Sequence, residues 1–527
     1  MTSQMISLTW QRLSSTVTRI KHNYDVLILV LFALTLYMSF MSCSFDEWDS
    51  YNYALALTEY NIVGHKPHPP GYPLYVFLGR AAFSLTGNPL TALTSVSAIS
   101  GALTIAPVYA LSRKMYNRRT AIFTSLVLMF TPALWISSEL ALTDSLFMLL
   151  LMLAISLLYF GVKGSTKMLE LSWLVYGFAI GARPTPAALT FMALWIPSTV
   201  ILSTKKRTAT TFVKALLYFT AGVLVWFAPM IYLTGWNEYW RATTKLVVDA
   251  STAEFVWART GGLDSIQRLG HVVMQILAFS LGGAFLGIRD LFGSGNPYVH
   301  FQGALLIVAI ITSILNITKI ADKLFLFLWI APYFTFVYVF GTLNYPRYYL
   351  PMIPAILIPF IPSSSEIIVR ILRKGRMPTN KKSLQSCLRY SFSVILVITF
   401  FVNSLPLAMI VHTEYPPTKQ IFTYVTSNYA PGTIIIESHE HRVFQYYSND
   451  VQYLHVRQNE SQVISELSRF SPSHTILITT SAYTFLSSHP AIVELSVSTI
   501  IEFFREPHVV IEDHRIILYR VVSVKLR

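Results

Sequence analysis

The chain has 527 residues, of which 53% are hydrophobic and only 13% charged, roughly half the charged share of a soluble domain. With a mean hydropathy of +0.51, this excludes an ordinary soluble protein and points to many membrane spans. The net charge of +14 does not imply nucleic acid, because membrane proteins place Lys and Arg in short cytoplasmic loops and no basic soluble domain stands out.

In chain order, the apolar runs that can span are Val26–Met41, Leu93–Leu111, Ala121–Ile136, Ser145–Gly161, Leu171–Ala182, Ala187–Leu202, Phe212–Leu233, Phe301–Leu315, Leu324–Phe340, Tyr348–Ile361 and Ser391–Val411. Every second loop between these eleven runs is basic. Arg12, Arg19 and Lys21 precede the first; Arg113, Lys114, Arg118 and Arg119 follow the second; Lys163 and Lys167 follow the fourth. Lys205, Lys206 and Arg207 follow the sixth, Lys319 and Lys323 the eighth, and a group from Arg370 to Arg389 the tenth. That alternation places the N-terminus in the cytoplasm. No small-residue cleavage pattern follows the first run, so it reads as a span rather than a signal peptide.

His271–Ile288 is also apolar, but Gly282 and Gly283 interrupt it and Arg268, Arg289 and Asp290 flank it. It reads as a helix lying on the outer face within a long loop, 235–298; a twelfth span would reverse the sidedness of the basic loop after Ile361. Beyond His412, short β-branched runs (Thr433–Glu437, Val451–Val456, Thr475–Thr479) alternate with helix-compatible stretches, a βαβ rhythm. A closing hairpin is expected to turn at Asp513-His514. The fold class is therefore an all-α polytopic membrane domain over residues 1–411, with outer loops 45–90 and 235–298, plus a small extracytoplasmic α/β domain over 412–527. Cys43 and Cys387, the only cysteines, fall on opposite sides of the membrane and offer no disulfide framework.

This topology collects the polar chemistry on one face. Asp46, Glu47 and Asp49 follow the first span; they read either as an interfacial acidic patch or as acids that raise one another's pKa, a property useful in a general base. The stiff stretch "HKPHPPGYP", from His65 to Pro73, fixes its own geometry through proline and glycine. Its histidines fit ordinary hydrogen bonding better than a metal site, so no cofactor is expected and a divalent metal is not favoured. Glu139 and Asp144 lie in the next outer loop; Asp144 reads as a helix cap or as a functional acid at membrane depth. Arg183 occupies the following outer turn. Arg347, among tyrosines that include Tyr348, suits a lipid phosphate, or else snorkels to the interface. No Walker A or Gly-rich nucleotide fingerprint occurs.

The acidic stretch "DEWD", then "HPPGYPLYVFLGR", "GNPLTALTSVSAISGAL", "GFAIGARPTPAAL" and "RYYLPMIP" in that order, resembles the GT-C glycosyltransferases, in the branch related to protein O-mannosyltransferases. The resemblance runs from Val26 to Ile361 and is most specific over His68–Arg80. It implies a multi-pass cell-membrane enzyme (endoplasmic reticulum membrane if the host is eukaryotic) working on the extracytoplasmic face. Such an enzyme moves a mannose-like hexose from a polyprenyl-phosphate donor to a protein, glycan or lipid hydroxyl, inverting the anomeric carbon, without nucleic-acid partners.

Carried over by motif, Asp46 is the general base with Glu47 and Asp49 as neighbours or substitutes, Asp144 the second-loop acid and Arg347 the phosphate ligand. His65, His68, Tyr72, Glu139, Arg183 and Tyr348 complete the candidate substrate-binding set. The bulky Trp48 and terminal Asp49 depart from the branch pattern and leave the choice among the three acids open. In the C-terminal domain, His439, His441, Arg442, Tyr446 and Tyr447 read as sugar contacts or as solvated surface. A transporter or a non-catalytic glycolipid-binding protein are the competing readings; a transporter places its polar residues at mid-membrane.

Overall fold

The computed structural model describes residues 24–202, 209–249, 265–276, 319–340, 345–374, 382–438, 440–447, 452–456, 458–471, 475–505 and 515–527. Each apolar run falls on a described helix, except Phe301–Leu315, which lies outside the described residues. The first is α1 (Tyr24–Ser39). Two helices of the following loop come next, α2 (Trp48–Thr58) and α3 (Pro73–Thr86), and then α4 (Pro89–Met115). The third run forms α5 (Arg118–Met129) and α6 (Pro132–Glu139), which meet at a 55° bend. Pro132 interrupts the hydrogen-bond ladder there. The carbonyls released by the break are met from neighbouring helices: Tyr37 Oη donates to Met129 O at 2.9 Å and Ser404 Oγ to Phe130 O at 2.5 Å.

Then come α7 (Asp144–Val162), α8 (Thr166–Ile180), the short pair α9 (Pro186–Leu189) and α10 (Met192–Val200), and α11 (Ala209–Thr234). Helices α8 and α11 touch backbone to backbone. A β-carbon on Gly177 would lie 2.2 Å from Phe219 O, and one on Gly222 2.1 Å from Leu174 O, the small-residue contact that membrane helices use for close packing. Beyond α11 lie α12 (Trp236–Asp249) and α13 (Ser265–Met274). The described part of the His271–Ile288 run, residues 271–276, begins in α13, where Arg268 donates to Val339 O at 3.1 Å. The rest of that run lies outside the described residues. The membrane part closes with α14 (Ile320–Phe340), a 3-10 turn at Pro346–Met352, α15 (Ile353–Lys374) and α16 (Lys382–Thr413). Among the described residues five helices are long and apolar enough to cross a membrane, or six if the bent pair is one span.

After α17 (Pro417–Asn428) the chain builds one five-stranded sheet from β1 (Ile434–Glu437), β2 (Gln452–His455), β3 (Ile476–Thr479), β4 (Ile492–Phe504) and β5 (Arg515–Leu526), in the order β2-β1-β3-β5-β4. The β-branched runs of the sequence are its three parallel strands. Helices α18 (His441–Tyr447), α19 (Glu460–Ser468) and α20 (Thr480–Ser487) provide the crossovers. The closing hairpin is longer than the sequence suggests, because β4 begins at Ile492 and pairs antiparallel with β5 through three register shifts. Its expected turn at Asp513-His514 lies outside the described residues.

Ion pairs mark the two ends of the helical bundle. Helix α7 has 19 residues, about 28 Å at 1.5 Å per residue, with Asp144 at its first turn and Lys163 just past its last. Lys163 Nζ and Tyr159 Oη both donate to Asp322 Oδ1, at 2.9 and 3.0 Å. Asp25 accepts from Arg118 at 2.5 and 2.7 Å and from Tyr109 at 3.0 Å. The opposite end carries the acids and arginines described next.

Candidate active site

Local structure prepares the acidic stretch before any tertiary contact does. Glu47 is the N-cap of α2 and Asp49 lies in its first turn, where the helix dipole favours negative charge. Arg80, the last residue of the "HPPGYPLYVFLGR" motif, donates from Nε and Nη2 to the carbonyl of Ala56 at 3.1 and 2.8 Å. It thereby satisfies the end of α2 and fixes that helix to α3. The other end of the motif is the proline turn. Gly71 has φ 106°, and a β-carbon there would meet Ile62 Cδ1 at 2.6 Å. His65 and Tyr72 also sit in the left-handed region, at φ 57° and 41°, a placement costing each about 1–3 kcal/mol that persists only where its surroundings enforce it. For Tyr72 the enforcing partners are the rings of His68, 4.7 Å away, and Tyr53, at 5.4 Å.

Arg347 is the centre of the cluster. It lies in the 3-10 turn with its side chain 2% exposed, so it does not snorkel. Its guanidinium pairs with Glu47 and stands 3.8 Å from Asp49 Oδ2 and 3.6 Å from Asp144 Oδ2. The rings of Tyr345 and Tyr348 face it at 4.8 and 5.5 Å. Arg183 pairs with Asp144 and lies 4.9 Å from the Tyr348 ring. Thr143, not Asp144, is the N-cap of α7, so Asp144 is left for the two arginines. A small cleft opens here, lined by Asp144, Arg183, Arg347, Tyr333 and Tyr348 together with apolar side chains.

A second group surrounds Trp48. Its Nε1 donates to His441 Nε2 at 3.4 Å, and its ring faces His65 at 5.7 Å, His68 at 5.6 Å and the Arg442 guanidinium at 5.3 Å. His68 Nε2 stands 3.5 Å from Asp49. Burial, then the charges of Arg442 and Arg183, push the His68 imidazole down to about 3, so at neutral pH that contact is polar rather than ionic. Glu437, fully buried below His441, is pushed well above the ordinary carboxylate range by burial and then by Glu440. Asp46 faces away from solvent and pairs with Arg505, which follows β4.

Thus Asp46, Glu47, Asp49, Asp144, Arg183, Arg347 and Tyr348 gather at one end of the bundle, with His65, His68 and Tyr72 packed beside them. Glu139 is not brought into this group. It ends α6 inside the bundle, where its backbone carbonyl accepts from the Ser42 N–H at 3.2 Å. Trp48 as a hub and Arg505 as a partner of Asp46 were not foreseen. His441 and Arg442 are buried against Trp48 rather than solvated, and His439 lies outside the described residues. Among the described residues no three His, Cys, Asp or Glu side chains form a metal-ligating group.

Residues 66–233 match the family described as dolichyl-phosphate-mannose-protein mannosyltransferase. The segment holds the proline turn, Asp144 and Arg183. ArnT from Cupriavidus metallidurans, in a crystal structure bound to undecaprenyl phosphate, is similar over 94% of this chain and 97% of its own, with TM-score 0.58 and 13% identity. The apo crystal structure of the Archaeoglobus fulgidus oligosaccharyltransferase is similar over 87% of this chain and 69% of its own, with TM-score 0.52 and 12% identity. The chain shares its fold with these two proteins. No curated protein matches the chain. A segment matching that mannosyltransferase family thus lies within a fold shared with these two crystal structures.

Proposed function

We propose that this enzyme transfers a hexose from a polyprenyl-phosphate donor to an acceptor hydroxyl at the extracytoplasmic face, with an acid of "DEWD" as general base. The observation that carries the reading is the convergence of Arg183 and Arg347 on one tyrosine-lined cleft beside that acidic stretch. A carboxylate cluster alone repels a phosphodiester, whereas two buried guanidinium forks bind one and take up the charge of a departing phosphate. The undecaprenyl phosphate bound to ArnT, a protein of the same fold, supports the donor class. Placing the cluster outside follows from the basic loops at the opposite end, which the positive-inside rule assigns to the cytoplasm.

The chemistry needs little beyond these groups. Asp46 takes the proton from the acceptor hydroxyl, whose oxygen attacks the anomeric carbon. The bond from that carbon to the phosphate oxygen breaks, the configuration inverts, and the lipid phosphate leaves onto Arg347 and Arg183. Glu47, Asp49 and Asp144 neutralise those arginines until phosphate arrives, and their nearness keeps the empty cleft from holding unpaired cations. Transfer from a polyprenyl-phosphate hexose should be measured with the purified protein in lipid. Wild type is expected to turn over and Asp46→Asn to lose about 10²–10⁴-fold while still binding polyprenyl phosphate. An active Asp46→Asn enzyme would pass the role of base to Glu47 or Asp49, and a wild type inert with every lipid-linked sugar would sink the reading.

A further inference from the structure

We propose that Arg505 is a positioning residue: it brings a guanidinium from the C-terminal sheet to Asp46 and holds that acid as an aimed carboxylate, so that proton transfer depends on the docked sheet domain. The inference rests on Asp46 being the base. Arg505 and Asp46 pair with side chains only 6% and 1% exposed. A buried carboxylate without a cation would take up a proton and cease to be a base at neutral pH.

Glu47 and Asp49 adjoin Asp46 along the chain, and Glu414, whose carbonyl accepts from Arg505, follows α16. Cys43 and Tyr51 from the same stretch also face it, with Tyr447 of α18 behind Tyr51. Arg505 brings a cation to this group, and a guanidinium does not deprotonate in proteins.

Its anchorage is rigid. Arg505 directly follows the 13-residue strand β4, which pairs with β5 along its length. Phe503, two residues earlier, packs on Tyr424 of α17 with ring centroids 5.7 Å apart. The guanidinium also donates to Glu414 O at 3.3 Å. Pairing lowers the intrinsic basicity of Asp46 but raises the fraction ionised and fixes its direction. In a buried site crowded with acids, the second effect governs rate.

The test compares Arg505→Gln, Arg505→Lys, Asp46→Asn and the Arg505→Gln/Asp46→Asn double variant in full-length protein in lipid. Arg515→Gln serves as control, since that arginine belongs to an exposed pair with Glu502 on the same sheet. In Arg505→Gln the acid limb of the kcat/KM profile is expected to move up by about 1–3 pH units, with donor KM unchanged. Arg505→Lys should keep the limb near that of wild type. An unmoved limb, a loss uniform across pH, or a gain in rate would each overturn the proposal. Thermal unfolding of the same four proteins gives a readout independent of turnover. The double variant should be no less stable than the worse single, whereas additive losses would refute the pairing. A wild type that transfers no sugar while the unfolding cycle shows coupling would refute the assigned reaction and leave the Asp46–Arg505 contact standing.

Discussion

The two ends of the helical bundle handle charge differently. At the end bearing the basic loops, Asp25 is matched by Arg118 and Asp322 by Lys163, and a tyrosine completes each pair. At the other end three carboxylates share Arg347 and Arg183, rings crowd the guanidinium groups, and the sheet domain supplies a further arginine. One end is balanced pair by pair and acts as a joint between helices. The other holds an excess of acid over two arginines beside a cleft, an arrangement that an anionic ligand must disturb to bind. Charge at a joint serves stability; charge shared in a cleft is available for chemistry.

Mutations that separate the ends test that contrast. Arg347→Gln should lower sugar transfer by about 10²–10³-fold when assayed below its own unfolding temperature, while Lys163→Met leaves kcat unchanged. Equal losses in the two variants would erase the contrast. Arg183→Lys keeps the charge and loses the fork, so transfer should fall about ten- to a hundredfold, mostly through donor KM if Arg183 binds phosphate in the ground state. Asp322→Asn should cost about 1–3 kcal/mol of stability, between the values for exposed and buried pairs. Its activity at a temperature below unfolding should match wild type.

A pH-dependent effect concerns His68. Its folded pKa lies near 3, against an ordinary value of 6.5. Below pH 6.5 the unfolded chain therefore binds a proton that the folded chain refuses, and stability falls as pH drops from about 6.5 towards 3. His68→Asn should flatten that part of the pH–stability curve. An unchanged slope would assign the acid sensitivity to other groups.

What the sequence reveals follows from how local each signal is. Apolar runs need only composition, so the membrane helices were legible. The bend at Phe130–Thr131 was not, because Pro132 breaks a span only where partners such as Tyr37 and Ser404 take up the freed carbonyls. The three parallel strands stood out as β-branched runs. Strand β4 did not, since Glu494, Ser496, Ser498 and Glu502 dilute its apolar residues and its register shifts break strict alternation. Within the site, Arg347 was conspicuous as a charge next to an apolar run, and Asp46, Glu47 and Asp49 as a dense acidic patch. Arg505 carries no such mark. It is an ordinary strand-end arginine until folding sets it against an acid 459 residues away. Glu139 shows the converse error, since an acid beside a short loop looked like part of the site and is instead enclosed within the bundle.

That separation sets a timetable. A ribosome adding about 5–20 residues per second needs roughly 20–90 s to pass from Asp46 to Arg505. Throughout that interval the acidic stretch has already been made, but the sheet that steadies it has not. On the role proposed for Asp46, competence of this end is deferred until the sheet domain has folded and docked, and a nascent chain that stalls before β4 lacks the Arg505 partner of that acid.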